Sequence, residues 1–118
     1  MTLLTKEQIL KANDRETKKI EVPEWGGFVI IRSLSSADRD KWEVQLQEGI
    51  KGNMHKLINY RARLVALALV DEKNEKMFCE ADVVNLGDRS VKALERVYDA
   101  VIEMNAMNPE DVKELEKN

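Results

Sequence analysis

The stretch LINYRARLVALALV, residues 57–70, is the most continuously apolar run of the chain and decides its fold. On a helical wheel its apolar side chains cover a sector wider than the roughly 100° stripe of an ordinary surface helix. The run therefore predicts a central helix over about 54–70 that contacts several neighbours. Arg61 falls near the middle of the apolar sector, whereas Arg63 falls on the opposite, polar side with His55.

Arg61 is the residue of this helix that breaks the local pattern, because an unpaired charge among apolar side chains is costly. We expect it to pair with an acid of another helix or to extend to the edge of the core. Glu43, Asp99 and Glu103 are the candidate acids. The alternative is an ion pair across an interface with another subunit or a partner.

Length and composition bound the class of protein. The 118 residues fit a single domain, 1–118, that can bury a core without a disulfide or metal. A net charge of −3 argues against a nucleic-acid-binding surface, although Lys51, Lys56, Arg61 and Arg63 form a small basic cluster. No apolar segment approaches the ~20 residues that cross a bilayer, so we expect no membrane contact and a cytoplasmic location.

Local patterns predict an α+β fold that is mainly α-helical. Thr5 and Gln8 stand at capping-box spacing before a short helix. Alternation and turn residues predict an N-terminal β-hairpin over about 17–34, with a five-residue connection, packed against a small helical bundle. The helices of the bundle are predicted over about 36–50, 54–70, 90–105 and 109–116.

Two tryptophans are candidates for partner contacts. Trp25 lies in the hairpin connection, where it either covers the end of the hairpin or is exposed as an interface hot spot. Trp42 recurs at helical spacing with apolar residues and is expected in the core, but it remains a candidate alongside Trp25 and Arg61.

The sequence lacks the residue sets that catalysis and cofactor binding usually need. One histidine, His55, and one cysteine, Cys79, provide neither a hydrolytic triad nor ligands at metal spacing. The glycines form no phosphate-binding pattern. We therefore expect a protein without catalytic residues, cofactor or metal, and a single cysteine suits a reducing compartment.

Several blocks of sequence resemble the tail assembly chaperones of long-tailed bacteriophages and prophages. The blocks are LTKEQILKANDRETKKIEVPEWGG, the segment at Leu34–Asp40, RARLVALALVDE and ADVVNLGDRSVKALERVYDAVIEMNAMNPEDVKELEKN. The resemblance covers nearly the whole chain and rests most on VPEWGG and LGDRSVKALERVYDAV.

This resemblance implies a small, mainly helical, self-associating protein that holds the tape-measure protein while the tail tube polymerises. It implies no chemistry. Its expected partners are the tape-measure protein, a longer frameshifted form of itself, the tail tube protein and further copies of itself. It also implies a location in the cytoplasm of the bacterial host and absence from the mature virion.

Members of the family commonly make a second, longer product by ribosomal slippage near the end of the short reading frame. Glu116-Lys117-Asn118 can be encoded GAA AAA AAC, which contains the slippery heptamer A AAA AAC. The codons decide between a slip site and an ordinary lysine-rich tail, and AAG at Lys117 would remove the site.

Two other functions are alternatives. A structural morphogenesis protein would remain in the finished tail and would be found in purified virions. A small DNA-binding regulator would bind a duplex with steep salt dependence, which the acidic balance of the chain argues against.

Overall fold

The chain begins with a short helix and a β-hairpin and continues as helices packed around a small sheet. The computed structural model describes residues 1–107. Within this range the elements are α1 (Lys6–Lys11), β1 (Thr17–Val22), β2 (Gly27–Arg32), α2 (Ser36–Ile50), α3 (Met54–Leu57), α4 (Tyr60–Ala68), β3 (Leu69–Val70), α5 (Val83–Gly87) and α6 (Val91–Met104), with 3-10 turns at Pro23–Trp25 and Glu80–Asp82. The predicted α+β, mainly helical fold is confirmed.

The hairpin forms where the alternating pattern predicts it. Strands β1 and β2 pair antiparallel in the register Ile20↔Val29. The connection is the 3-10 turn followed by Gly26, whose φ of 77° suits a residue without a Cβ. The connection therefore has four residues rather than the predicted five, because Gly27 already pairs with Val22.

The capping box predicted at Thr5 and Gln8 is present at the start of α1. Thr5 accepts a hydrogen bond from the Gln8 amide at 3.2 Å, and the Gln8 side chain accepts from the Thr5 amide at 2.9 Å. Ser35 and Ser90 cap α2 and α6 in the same way, through the amides at the third helical position. The helix predicted over about 109–116 lies outside the described residues.

The central apolar run does not form one helix, so the prediction of a helix over about 54–70 is wrong in its continuity. Ile58 is extended, with ψ of 137°, and Asn59 is left-handed, with φ of 67°. Asparagine adopts this conformation more readily than other residues with a Cβ. Its side chain contacts Gly87 of α5, at a point where any Cβ would collide with it.

The end of the same run forms a third strand that local pattern did not predict. Leu69 leaves the helical conformation, and β3 pairs antiparallel with β2 through Ile31↔Leu69 and Ile30↔Val70. Two residues at the end of an apolar helix are too few to show the alternation of apolar and polar residues that predicts a strand. The pairing is a long-range contact that only the folded chain provides.

The core lies where the inner face of the sheet meets α2, α4 and α6. Its largest fully buried side chains come from all these elements: Trp42, Ile31, Leu46, Leu64, Leu69, Val22, Val65, Val97 and Val101. Asn105, just after α6, accepts a hydrogen bond from the Leu34 amide at 2.8 Å. This bond joins the end of the last described helix to the end of the hairpin.

Helices α2 and α3 approach one another closely at Gly49. A Cβ placed there would lie 2.6 Å from the Leu57 backbone nitrogen and 2.9 Å from its Cα. These are backbone atoms, which cannot rotate away as the end of a side chain can.

We therefore predict that Gly49→Ala destabilises the protein by about 1–3 kcal/mol, the usual cost of overpacking. Helix propensity alone predicts the opposite change in stability, because alanine is more favourable than glycine by about 1 kcal/mol in a helix interior. Urea unfolding measures the change. Gly27→Ala is the control, because nothing lies within 4 Å of a Cβ at Gly27. Equal stability of the Gly49→Ala variant and the wild type would contradict the close approach.

Candidate partner-binding surface

The turn that carries Trp25 is fastened to α6 by an ion pair. Arg96 donates from Nε and Nη2 to the two carboxylate oxygens of Glu24, at 3.1 and 2.9 Å. These hydrogen bonds hold the pKa of the Glu24 carboxyl below its ordinary value and raise the pKa of Arg96. Because the contact is bidentate, it fixes the direction as well as the distance of the turn.

Trp25 is half-buried and forms one wall of an apolar groove. We call this surface the Trp25 groove; it has a volume of about 540 Å³. Residues from the hairpin, β3, the following loop and α5 line it: Trp25, Val29, Leu69, Met77, Phe78, Asn85, Leu86, Asp88 and Arg89. Trp25 thus packs over the end of the hairpin and also borders an open apolar surface. It has features of both alternatives, the covering residue and the exposed interface residue.

The loop after β3 supplies Met77 and Phe78 to the groove. Lys76 forms an ion pair of 2.7 Å with Asp38, which is nearly buried at the start of α2. The Met77 amide donates to the Leu69 carbonyl at 3.2 Å. These contacts hold the outer wall of the groove against the sheet.

Arg61 is exposed and stacks on aromatic rings, so the internal ion pair expected for it is absent within residues 1–107. Its guanidinium carbon lies 4.6 Å from the ring centre of Tyr60 and 5.8 Å from that of Tyr98. Among residues 1–107 no acid pairs with it, and the candidate Glu43 instead contacts Arg39 at 3.1 Å. The tyrosines hold the cation in place without neutralising its charge.

A second cleft lies beside Arg61. We call it the Arg61 cleft; it has a volume of about 300 Å³. It is lined by residues 57–62, Gly87, Arg89, Val91, Leu94 and Glu95. Ile58 and Val91 are 58% and 71% exposed at its edge, so the cleft has apolar contacts that nothing in the described chain covers. Arg89 borders this cleft and the Trp25 groove, which are therefore neighbours.

The sequence pattern predicts Arg63 on the solvated side of a helix, but Arg63 is buried, with 7% exposure. Its Nε donates to Glu80 at 3.0 Å and its Nη1 to the Lys56 carbonyl at 3.1 Å. The polar side predicted for Arg63 rests on His55, which precedes the break at Asn59, so the break explains the difference for Arg63. Arg61 stays beside Val65 and Ala68 on a wheel of α4 alone, and it is exposed at the first turn of that helix.

Trp42 is a core residue, as its spacing predicts, with 1% exposure. Its indole Nε1 donates to the Tyr60 carbonyl at 2.8 Å and so holds α2 against the first turn of α4. The ring does not reach the surface, so the structure separates Trp42 from the other two candidates, Trp25 and Arg61.

Sequence reasoning missed the apolar residues at the edges of the two surfaces, above all Ile58, Val91 and Met77. The residue pair Ile58-Asn59 was an available signal, because an asparagine can adopt a left-handed conformation that breaks a helix and exposes the preceding apolar residue. Val91 follows the cap residue Ser90 and lies outside the buried stripe of α6. Its exposure depends on how the helix packs, which the pattern alone does not determine.

Residues 1–107 show two further features. No group of three or more histidine, cysteine, aspartate or glutamate side chains within them could hold a metal ion. In the same residues, no helix is long and apolar enough to span a membrane.

Exposed apolar surfaces with polar rims, such as the two clefts of this mainly helical α+β domain, mark sites that bind proteins, membranes or ligands. Comparison with known sequences gives the particular family: the sequence model of phage tail assembly chaperones matches residues 5–118. The chain therefore belongs to the phage tail assembly chaperone family, as the resemblance of its blocks implies.

Comparison with solved structures gives the same class of fold. The structure of the tail assembly chaperone of bacteriophage HK97 superposes with a TM-score of 0.61 and 18% sequence identity. The match covers 83% of this chain and 94% of the HK97 chain. A search of curated proteins finds no significant match.

The ion pair that fastens the turn predicts a pH-dependent stability. The folded state depresses the pKa of Glu24, so the pair stabilises the protein above the ordinary glutamate pKa of about 4.3. This contribution is lost as the pH falls through the depressed pKa. We expect Glu24→Gln to lower the melting temperature at pH 7, and the difference from wild type to shrink towards pH 3. A difference that stays constant with pH would contradict this assignment.

The two arginines predict opposite responses to the same substitution. Arg63→Met leaves the Lys56 carbonyl without its donor and should cost about 1–3 kcal/mol of stability. Arg61→Met should cost at most about 1 kcal/mol, the value of an exposed cation–π contact. Urea unfolding of both variants measures the two costs, and each variant is the control for the other. A larger cost at Arg61 would contradict the assignment of core and surface.

Proposed function

We propose that this chaperone binds the tape-measure protein and keeps it soluble while the tail tube polymerises around it. The observation that carries the proposal is the Arg61 cleft, an exposed apolar surface beside two arginines in a chain of this family. A tape-measure protein is a long helical chain with apolar stripes. A chaperone for it needs to cover such stripes without catalysis.

The cleft suits the helix-in-groove mode of recognition. Apolar side chains on one face of the bound helix would contact Ile58 and Val91, which are exposed in the chain alone. Acidic side chains flanking that face would pair with Arg61 and Arg89. Because stacking on Tyr60 already orders Arg61, less side-chain freedom is lost when the pair forms.

Release is as important as binding, because tube subunits have to displace the chaperone. Exposed ion pairs contribute about 0–1 kcal/mol and are weakened by salt. The apolar edge is formed by few residues. Both features favour a contact that holds a single helix weakly and gains strength when many copies bind along one tape-measure chain.

The remaining parts of the proposal concern partners and location. We infer a non-enzymatic protein that needs no cofactor, associates with copies of itself, contacts the tail tube protein and leaves the tail before the virion matures. We also infer a longer form made by slippage at Glu116-Lys117-Asn118, which lies outside the described residues. The family membership supports these inferences.

Co-expression with the tape-measure protein encoded nearby tests the binding function. We expect the wild-type chain to raise the soluble fraction of the tape-measure protein and to co-purify with it. The double variant Ile58→Glu/Arg61→Glu places acids at the apolar edge and reverses the charge, and it should reduce co-purification at least tenfold. Both positions are exposed, so the fold should be kept, and a thermal melt checks this.

The matched control is Lys41→Glu/Val44→Glu, which makes the same chemical changes at exposed positions of α2. It should bind as the wild type does. Failure of the wild-type chain to solubilise or retain the tape-measure protein would refute the function. Equal retention by both double variants would refute the site.

A further inference from the structure

A further cavity adjoins the Arg61 cleft, at the corner where α2 is followed by α3. We call it the corner cavity; it has a volume of about 430 Å³. It is lined by Gly49, Ile50, Gly52, Met54, Leu57 and Tyr60. Because Leu57 and Tyr60 also line the Arg61 cleft, the two cavities are neighbours on one surface.

Two exposed apolar side chains connect the cavities along α3. Met54 begins this helix and is 59% exposed, and Ile58 directly follows it and is 58% exposed. The Ile58 amide donates to the Met54 carbonyl at 3.0 Å, so the two residues are one helical turn apart. Side chains at this spacing are neighbours on a helix surface. Met54 and Ile58 therefore form one apolar edge that reaches from the corner cavity to the Arg61 cleft.

Backbone contacts hold the corner in one shape. The Asn53 amide donates to the Glu48 carbonyl at 3.1 Å, and the Met54 amide donates to the Gly52 carbonyl at 3.1 Å. A preformed surface loses little freedom on binding. The flexible side chain of Met54 can adapt to ligand side chains of different shapes. This combination suits a surface that binds many different segments of one long helical chain.

The charges around the two cavities are unevenly distributed. Lys51 and Lys56 are sequence neighbours of residues that line the corner cavity, and Arg61 lines the Arg61 cleft. None of these three cations forms an ion pair within residues 1–107. Glu95 of α6 is the only acid among the lining residues of both cavities. A ligand with acidic side chains at the corner therefore complements this surface, whereas one with basic side chains there is repelled.

We propose that the tape-measure helix continues from the Arg61 cleft into the corner cavity, and that acidic side chains flank the part of the helix that lies at the corner. This inference rests on the proposed function, because the same helix occupies both cavities. Apolar residues at i, i+4, i+7 and i+11 follow one face of a helix over about three turns. The chaperone thus selects helices that are apolar over this length and acidic at one end.

Two versions of a soluble helical fragment of the tape-measure protein test the second contact. The parent fragment has this apolar pattern and acidic residues at one end, and in the second fragment the two apolar residues of the acidic end are replaced by alanine. Fluorescence anisotropy measures the affinity of each. We expect the wild-type chain to bind the parent fragment at least tenfold more tightly. Replacement of the acidic residues of the parent fragment by lysine should also weaken binding at least tenfold.

Met54→Glu should remove the difference between the parent and alanine fragments, because it places an acid at the edge of the corner cavity. Binding of the alanine fragment should be unchanged, since that fragment contacts only the Arg61 cleft. The matched control is Met77→Glu, which makes the same change at a residue of the Trp25 groove that is 55% exposed. It should keep the tenfold difference. A thermal melt checks that both variants remain folded.

Several results would overturn the proposal. These are equal binding of the parent and alanine fragments by the wild type, a difference that survives in Met54→Glu, and equal binding of the acidic and lysine fragments. Loss of the difference in Met77→Glu alone would place the second contact in the Trp25 groove and would also overturn it. In each of these cases the proposed function still stands, because the wild-type chain binds the parent fragment. A wild-type chain that binds no fragment would refute both.

Discussion

The left-handed turn at Asn59 is the constraint on which the rest of the structure depends. It divides the apolar run into α3 and α4 and rotates the second helix relative to the first. Beyond the turn, Arg63 is buried and pairs with Glu80, whose side chain is 63% exposed, whereas Arg61 in the first turn of α4 is exposed. The Asn59 side chain lies against Gly87, in the space that a Cβ there would occupy. The turn thus separates the polar residues of α3 from the helix that holds both arginines.

A few polar contacts join the Asn59 turn to α2 and the hairpin to α6. The Trp42 indole bonds to the carbonyl of Tyr60, the residue directly after Asn59. Glu24 and Arg96 hold the hairpin turn against α6, and Asn105 holds its other end through Leu34. The hairpin is therefore fixed at both ends, and Trp25 is presented in one orientation. A surface fixed in this way loses little freedom on binding, which favours recognition by a small contact area.

Local rules predicted much of this fold because they describe interactions between neighbours in sequence. The capping box at Thr5 and the connection of the hairpin act over a few residues; the capping box is confirmed, and the connection is one residue shorter than predicted. The turn at Asn59 and strand β3 involve contacts with Gly87 and with β2, which are distant in sequence.

The candidate site was predicted only in part for the same reason. Trp25 and Arg61 lie at open surfaces, whereas Trp42 is buried. The large aromatic or charged side chains of these three residues made them candidates for partner contacts. Packing decides which of them are exposed, and packing depends on the whole fold. Ile58 and Val91 were missed because an apolar residue in a helical segment is ordinarily expected to face the core, and only the turn and the packing of α6 leave them outside.

The central claim is that the surface beside the Asn59 turn, and not the core, receives the partner. Methyl NMR of the chain titrated with a soluble helical fragment of the tape-measure protein tests it most directly. The account predicts that the methyl signals of Ile58 and Val91 shift on binding while that of Val44, an exposed residue of α2, stays unchanged. Shifts at Val44 with no change at Ile58 and Val91 would contradict it.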